Sequence, residues 1–334
     1  MKKNPDLGRL FMVGFPGIRL DDSTLRLITE QGINNFILFR RNVESPAQVG
    51  ALCRELKEAC RRSGLPAPLI SIDQEGGTVA RLPRPFTQFD DARTLAESAD
   101  PEKALGHYVT ACVAELSEAG INMNLAPVLD VCPAGQGYFM EKRVLGEDPE
   151  QVGRLGAYVI NGLQQGGIAA CGKHFPGLGA AKLDPHLQLP VVTRPLAQIK
   201  EIDLVPFQRA VAAGLAAIMT SHTIYTDLDP RTPATLSKIV LQGLLRDELG
   251  FDGLIITDDL EMGAIENDRS VAGAAVQAFV AGADMLLICH DHEKVRQAHD
   301  ALMQAVATGE VGLRQCDDAL RRVSLVRRRF AGAA

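Results

Sequence analysis

The chain has 334 residues, of which 46% are hydrophobic and 23% are charged, and its formal net charge is −6. A mildly acidic chain without a long basic run argues against a nucleic-acid or anionic-membrane partner. Its seven cysteines are scattered and odd in number, so we expect no disulfide framework. We see no signal peptide and no apolar run of about 18 residues, and therefore expect a cytoplasmic globular protein.

Short apolar runs recur along the chain and predict strands. In chain order these are Leu10–Gly14, Asn35–Phe39, Leu69–Ile72, Ile121–Ala126, Ala169–Gly172, Ala216–Thr220, Gly253–Thr257 and Asp284–Ile288. Apolar residues at helical spacing predict helices over Ala47–Ser63, Pro149–Gly166, Leu196–Gly214, Ser237–Leu249, Val271–Gly282 and Leu313–Phe330. Eight strands that alternate with helices predict an α/β fold, a (β/α)8 TIM-type barrel forming a single domain over residues 1–334.

Polar residues follow most of these predicted strands, at the end of the barrel where active sites lie. They are Asp73-Gln74-Glu75, Asp130, Lys173-His174, Ser221-His222, Asp258-Asp259 and His290-Asp291. The sequence therefore predicts that carboxylates and imidazoles converge on one rim.

Two of these acids, Asp258 and Asp259, end a buried apolar strand. An acid at this position can attack the anomeric carbon of a sugar, whereas the alternative role is that of a helix N-cap. Strand alternation would place the two side chains on opposite faces, and the spacing leaves open which one faces the lumen.

An acid and an imidazole two residues apart, Asp184 and His186, lie on a loop rich in proline and glycine. A neighbouring carboxylate favours the imidazolium and fixes its tautomer, which makes His186 a candidate general acid. The alternative is a turn aspartate beside a surface histidine.

Several other residues of the rim are candidates for substrate binding. Lys173 and His174 can bind hydroxyls, and Lys173 could alternatively form a Schiff base. Asp73 can accept from two adjacent sugar hydroxyls, and Arg81 can pair with Asp73 or donate to the ligand; the alternative is a capped turn with a surface salt bridge. His222 is either a ligand-binding residue or a buried histidine of the core.

The one HxH pattern, His290-Asp291-His292, follows the last predicted strand and fits the start of the next helix. Metal hydrolases with this fold usually carry such a pattern on an early strand. We therefore expect no metal and no other cofactor.

Seven segments in order resemble glycoside hydrolase family 3, specifically its bacterial β-N-acetylglucosaminidase branch. They are Gly14–Gly17, Phe36–Asn42, Asp73–Arg81, Asn124–Val131, Arg143 with Gly146–Pro149, Lys173–Gly177 with Asp184, His186 and Pro190, and Ile256–Met262.

The resemblance implies a retaining double displacement without metal. The position of Asp258 matches the family's nucleophile. His186, held by Asp184, matches the residue that protonates the leaving oxygen and later activates water. The positions that match sugar-binding residues are Asp73, Arg81, Arg143, Lys173 and His174.

We therefore predict a cytoplasmic, monomeric β-N-acetylglucosaminidase that acts on short glycans such as the anhydro-muropeptides of peptidoglycan recycling. The loop departs from the family pattern, because Leu178 replaces a histidine, Ala180-Ala181 replace a polar pair and Pro185 replaces a serine. The alternatives are a family 3 glycosidase or phosphorylase with altered sugar preference, and a degenerate sugar-binding barrel.

Overall fold

The computed structural model describes residues 6–332 except 182, 184, 186 and 187. Eight parallel strands form its central sheet: Phe11–Val13 (β1), Asn35–Leu38 (β2), Leu69–Ile72 (β3), Met123–Asn124 (β4), Ala169–Phe175 (β5), Ala217–Thr220 (β6), Leu254–Ile256 (β7) and Leu286–Ile288 (β8). They pair in chain order from β1 to β7, and β8 pairs with β1. A bridge between Ile256 and Met285 links β7 to the start of β8 and nearly closes the sheet. The predicted (β/α)8 TIM-type barrel is confirmed.

Nine helices of the described chain surround the barrel. They are Asp22–Gln31 (α1), Pro46–Arg62 (α2), Pro101–Ala119 (α3), Pro149–Gln165 (α4), Leu204–Ala212 (α5), Ile239–Glu248 (α6, wound as a π-helix), Val271–Ala281 (α7), His292–Thr308 (α8) and Leu313–Phe330 (α9). Shorter helical turns span Leu7–Leu10, Arg40–Asn42, Ala92–Ala96, Leu196–Gln198, Ile199–Asp203, Ala234–Leu236 and Gly263–Glu266. Two short strand pairs lie outside the barrel, Gln74–Gly76 with Val79–Ala80 and Val191–Val192 with Ile224–Tyr225.

Three of these helices begin with the same local arrangement of a polar cap followed by proline. Ser45, Asp100 and Asp148 each accept a hydrogen bond from a backbone N–H in the first turn. Proline at the first helical position suits this arrangement because its missing N–H would have no partner inside the helix. These caps fix where α2, α3 and α4 begin.

The predicted boundary of β5 was wrong. The strand continues past Gly172 to Phe175, which pairs with Thr220 of β6 after a shift in register. Lys173 and His174 therefore lie within the strand rather than after it. Gly172 lies inside the strand, where a Cβ would meet the side chain of Leu129 at 2.6 Å.

The predicted helix over 196–214 is also divided in the structure. A short turn, Leu196–Gln198, leads into the π-wound segment Ile199–Asp203 and then into α5. All seven cysteines are free and buried. Within the described part of the chain, no helix combines the length and the apolar character that crossing a membrane requires.

Candidate active site

A cavity of about 240 Å³ lies where the barrel strands end, and six of the predicted site residues line it. These are Asp73, Arg81, Arg143, Lys173, His174 and Asp258. Asp184 and His186 lie outside the described residues, although Pro185 between them contributes to the lining. His222 is absent from the lining formed by the described residues.

Two cations and two carboxylates pair with one another along one wall of the cavity, the paired wall; Asp73, Arg143 and Lys173 line the cavity, and Glu75 lies behind them. The Lys173 Nζ atom lies 2.7 Å from Asp73 Oδ1 and 2.6 Å from Glu75 Oε1. Arg143 binds Glu75 through two parallel contacts, from Nε at 2.9 Å and from Nη2 at 2.8 Å. Each charge of these four residues has a close partner of opposite sign, so the cluster presents polar atoms in fixed positions to a ligand.

The pairing also sets the protonation states of the cluster. Burial alone would lower the pKa of Lys173, but the charges of Asp73 and Glu75 outweigh burial and raise it. Burial would likewise raise the pKa of Glu75, but Arg143 and Lys173 outweigh it and lower that pKa. Lys173 therefore remains an ammonium group, which argues against the Schiff-base alternative because that reaction needs a neutral amine.

His174 is held in the wall by a buried carboxylate, Asp130. Its Nδ1 lies 2.8 Å from Asp130 Oδ2, while the backbone N–H groups of His174 and Leu178 donate to Oδ1 at 3.1 and 2.6 Å. With Nδ1 engaged, Nε2 is the ring nitrogen that can meet a ligand. Asp130 thus fixes both the ring and the first turn of the loop that follows β5.

Asp258 and Asp259, just after β7, both line the cavity. Their expected placement on opposite faces was wrong, because the strand ends at Ile256 and alternation no longer applies. The N-cap alternative fails as well, since Met262 occupies that position in the short helix that follows. The backbone N–H of Asp259 donates to Asp258 Oδ1 at 2.8 Å and so orients the carboxylate of Asp258.

Asp259 occupies a strongly acidic environment. Its Oδ1 accepts from the backbone N–H of Glu261 at 3.1 Å, and its Oδ2 lies 3.5 Å from His290 Nε2. Burial, together with the charges of Glu261 and Asp258, raises the pKa of Asp259 to about 7. Asp258 and Asp259 form a second wall, the acidic wall, on which the charged contact of Asp259 among the described residues is with an imidazole rather than with a lysine or arginine.

His222 lies beneath this second wall and is buried. Its Nε2 is 2.9 Å from the backbone oxygen of Asp259, and its Nδ1 is 2.8 Å from Thr235 Oγ1. Because a carbonyl oxygen only accepts, Nε2 carries the hydrogen. The geometry favours the buried alternative over direct substrate binding, with His222 supporting the backbone next to Asp258.

Sequence reasoning gave Glu75 and Asp130 no role in the site, and it weighed Asp259 only as an alternative to Asp258. All three had been noted among the polar residues after strands, which is the signal that points to them. Phe39 and His290 also line the cavity, and their rings are 5.6 Å apart. A rim cavity with donors and acceptors for hydroxyl groups on the paired wall and carboxyl groups on the acidic wall fits a glycoside hydrolase, an enzyme that acts on sugars.

Comparisons with known proteins agree with this class. The sequence model described as Glycosyl hydrolase family 3 N terminal domain matches residues 4–326. A Beta-hexosaminidase of Thioalkalivibrio sulfidiphilus (strain HL-EbGR7) is 38% identical over 296 residues, which cover 87% of this chain and 83% of that protein. The chain therefore belongs to glycoside hydrolase family 3.

Solved structures extend the likeness to three dimensions. A family 3 β-N-acetylglucosaminidase from Paenibacillus sp. str. FPU-7 superposes with a TM-score of 0.93 at 39% identity, over 99% of this chain and 63% of that one. NagZ from Neisseria gonorrhoeae, solved in complex with N-trifluoroacetyl-D-glucosamine, superposes with a TM-score of 0.79 at 29% identity. That superposition covers 95% of this chain and 98% of NagZ.

Proposed function

We propose that this protein is a retaining β-N-acetylglucosaminidase that removes terminal β-linked N-acetylglucosamine from short glycans. The observation that carries the proposal is the cavity, which joins the paired wall to the carboxylate of Asp258 in a space of about 240 Å³. Such a space suits a single sugar unit better than a long chain. The activities named for the relatives support the choice of an acetamido sugar.

Asp258 is the nucleophile in this proposal. Attack by its carboxylate on the anomeric carbon breaks the glycosidic bond and forms a glycosyl ester, which water then hydrolyses with net retention. The hydrogen bond from the Asp259 N–H to Oδ1 restricts rotation of the carboxylate. The acidic wall also favours the positive charge that develops on the sugar ring in the transition state.

His186, assisted by Asp184, is the proposed acid that protonates the leaving oxygen and the base that later activates water. Both residues lie outside the described part of the chain, so this role rests on the family resemblance. Pro185 supports it, because this residue lines the cavity and its backbone oxygen accepts from Ala264 N at 3.1 Å. This contact joins the loop to the segment that follows Asp258.

The paired wall is the proposed binding surface for the sugar. Asp73 accepts hydrogen bonds from hydroxyl groups, and Lys173, Arg143 and His174 donate to hydroxyl or acetamido oxygens. The contact between Arg81 Nη2 and Asp73 Oδ2 is long, 3.5 Å. Arg81 can therefore also donate to the ligand. No cofactor or metal takes part in this proposal.

The finer expectations also belong to this proposal: anhydro-muropeptides as substrates, a monomer in the cytoplasm, and one catalytic domain over 1–334. A phosphorylase remains the second candidate, because Leu178 lies in the cavity lining where the family usually has a histidine.

The experiment that tests the proposal is turnover of an aryl β-N-acetylglucosaminide and of the matching aryl β-glucoside, each with and without phosphate. We expect preferential hydrolysis of the acetamido sugar to free N-acetylglucosamine, at a rate that phosphate leaves unchanged. Glycosyl phosphate as the product would identify a phosphorylase. Faster turnover of the glucoside would overturn the sugar assignment, and failure to turn over either sugar would favour a binding protein.

A further inference from the structure

Two arginines lie close together at the amino-terminal ends of the barrel strands, away from the cavity. The side chain of Asn35, the first residue of β2, connects them: Nδ2 donates to the Arg9 backbone oxygen at 2.9 Å, and Oδ1 accepts from Arg327 Nη2 at 2.8 Å. Arg9 Nη2 donates to Ser324 Oγ at 3.0 Å, one helical turn before Arg327 on the same face of α9. The charge of Arg9 acts on Arg327, so the two guanidinium groups lie near each other.

Three donors of this pair are buried without an acceptor. Arg9 Nε, Arg327 Nε and Arg327 Nη1 have no hydrogen-bond partner among the described residues. The whole of Arg327 is only 4% exposed. Most buried polar groups in folded proteins are hydrogen-bonded, because leaving a donor without a partner is costly. An acceptor between these arginines would remove that cost.

The charges also do not balance here, in contrast to the paired wall of the cavity. Among the described residues, the hydrogen-bond acceptors of Arg327 are the neutral amide oxygens of Asn34 and Asn35, at 3.2 and 2.8 Å. Arg9 has one carboxylate partner, the exposed Asp6 at 3.0 Å. Burial and the charge of Arg9 lower the pKa of Arg327 to about 10, so it is still protonated at neutral pH. Two cations and one carboxylate leave one positive charge in excess.

We propose that this pair of arginines binds one small monovalent inorganic anion, of the size of chloride, which joins α9 to β1 and β2. A single negative charge would balance the excess, and its lone pairs would accept from the three unpartnered N–H groups. The burial of these donors selects a compact ion over an organic carboxylate. The site would stabilise the closing helix and takes no part in the sugar chemistry.

The test uses bromide as the probe, on the full chain. Thermal unfolding is followed while sodium gluconate is exchanged for sodium bromide at constant ionic strength. We expect a saturable rise in Tm of a few degrees for the wild-type protein, because a ligand that binds only the folded state stabilises it. Arg328→Gln, which removes an exposed arginine next to the site, should show the same rise. Arg327→Met should show none.

A crystal grown in bromide should show an anomalous peak within hydrogen-bonding distance of Arg9 Nε and Arg327 Nη1. Equal Tm values in bromide and gluconate would overturn the proposal, as would a water molecule in place of the peak. A peak without a Tm shift would mean an adventitious ion only and would also overturn it. If Arg327→Met does not fold, Arg9→Gln provides the same comparison.

Discussion

The charged groups on the two walls of the cavity make different contacts. On the wall formed after β3 and by β5, Lys173 contacts Asp73 and Glu75 at 2.7 and 2.6 Å, so each charge has a close partner. On the wall after β7, the contact of Asp259 Oδ2 with an imidazole is 3.5 Å long, and the neighbouring Asp258 carboxylate accepts from a backbone N–H. We therefore propose different roles for the two walls: the paired wall binds the sugar, and the carboxylate of Asp258 on the acidic wall attacks its anomeric carbon.

The largest effect should come from the acidic wall. Asp258→Asn removes the nucleophile while keeping the side-chain shape, and we expect kcat to fall by roughly 10⁴-fold, as when other covalent enzymes lose a central catalytic group. Asp259→Asn is the matched control next to it and should retain activity within about tenfold, since its carboxyl group forms no covalent bond here. Steady-state kinetics on the aryl β-N-acetylglucosaminide measure both. Equal losses in the two variants would remove the distinction between these acids.

Lys173→Met disrupts the pairing of the paired wall, because it removes the cation that Asp73 and Glu75 share. We expect a loss of about 3–5 kcal/mol in the free energy of unfolding, because both carboxylates would lose their shortest contact with a cation inside the protein. Lys200→Met is the control, since its contact with Glu248 is equally short, 2.6 Å, but about half exposed. That change should cost less than about 1 kcal/mol. Urea unfolding measures the free energy of unfolding of both variants. Similar losses would show that burial of the paired wall contributes little to the effect of Lys173→Met.

Much of the scaffold behind these walls could be predicted from sequence. The strands of a parallel barrel are buried on both faces, so their apolar runs stand out, and all eight were found. No range was predicted for helices α1, α3 and α8; in α3, small residues such as Ala104 and Ala114 on its outer side weaken the periodic contrast. Apolar runs therefore predict the strands of the sheet better than helical spacing predicts the helices.

The sequence predicted the residues of the site and the local pair of Arg81 with Asp73, but not the pairs between distant segments. Asp73 and Lys173 were expected at the rim because strand ends converge there. Their contact joins residues 100 positions apart, and it depends on strand register that the sequence does not specify. The role of His222 depends on the backbone path after Ile256, where the regular alternation of the strand ends. The local sequence pattern therefore identified the residues of the site, whereas their contacts depend on the tertiary structure.

The acidic wall should also make stability depend on pH. The pKa of Asp259 is raised from 3.8 to about 7, so the unfolded chain loses this proton at lower pH than the folded protein does. The associated stabilisation is fully present below about pH 4 and is lost as pH rises through about 7, with an upper limit of roughly 4 kcal/mol. Asp259→Asn has no such proton. Urea unfolding of both proteins across this window should show the wild type declining relative to the variant, and a constant difference would contradict the raised pKa.

The smallest effect on kcat should come from changing His222, which lies below the acidic wall. His222→Phe removes the donor to the Asp259 backbone oxygen, which still accepts from Met262 N at 3.0 Å. We expect kcat to fall about tenfold, equivalent to roughly 1.4 kcal/mol, with KM unchanged because the side chain is not part of the described lining. His222→Gln, which can still donate, should recover part of the loss. A rise in KM with kcat unchanged would instead indicate that His222 binds the substrate.

The assignment of Asp258 is tested most directly by trapping the glycosyl-enzyme. A slowly released substrate, such as a 5-fluoro-N-acetylglucosaminyl fluoride, is incubated with the protein, and the digested peptides are analysed by mass spectrometry with fragmentation. We predict one sugar attached to Asp258 and no label in Asp258→Asn. A label on Asp259, or turnover through an acetamido-derived intermediate that leaves the protein unlabelled, would contradict the role of Asp258 as nucleophile.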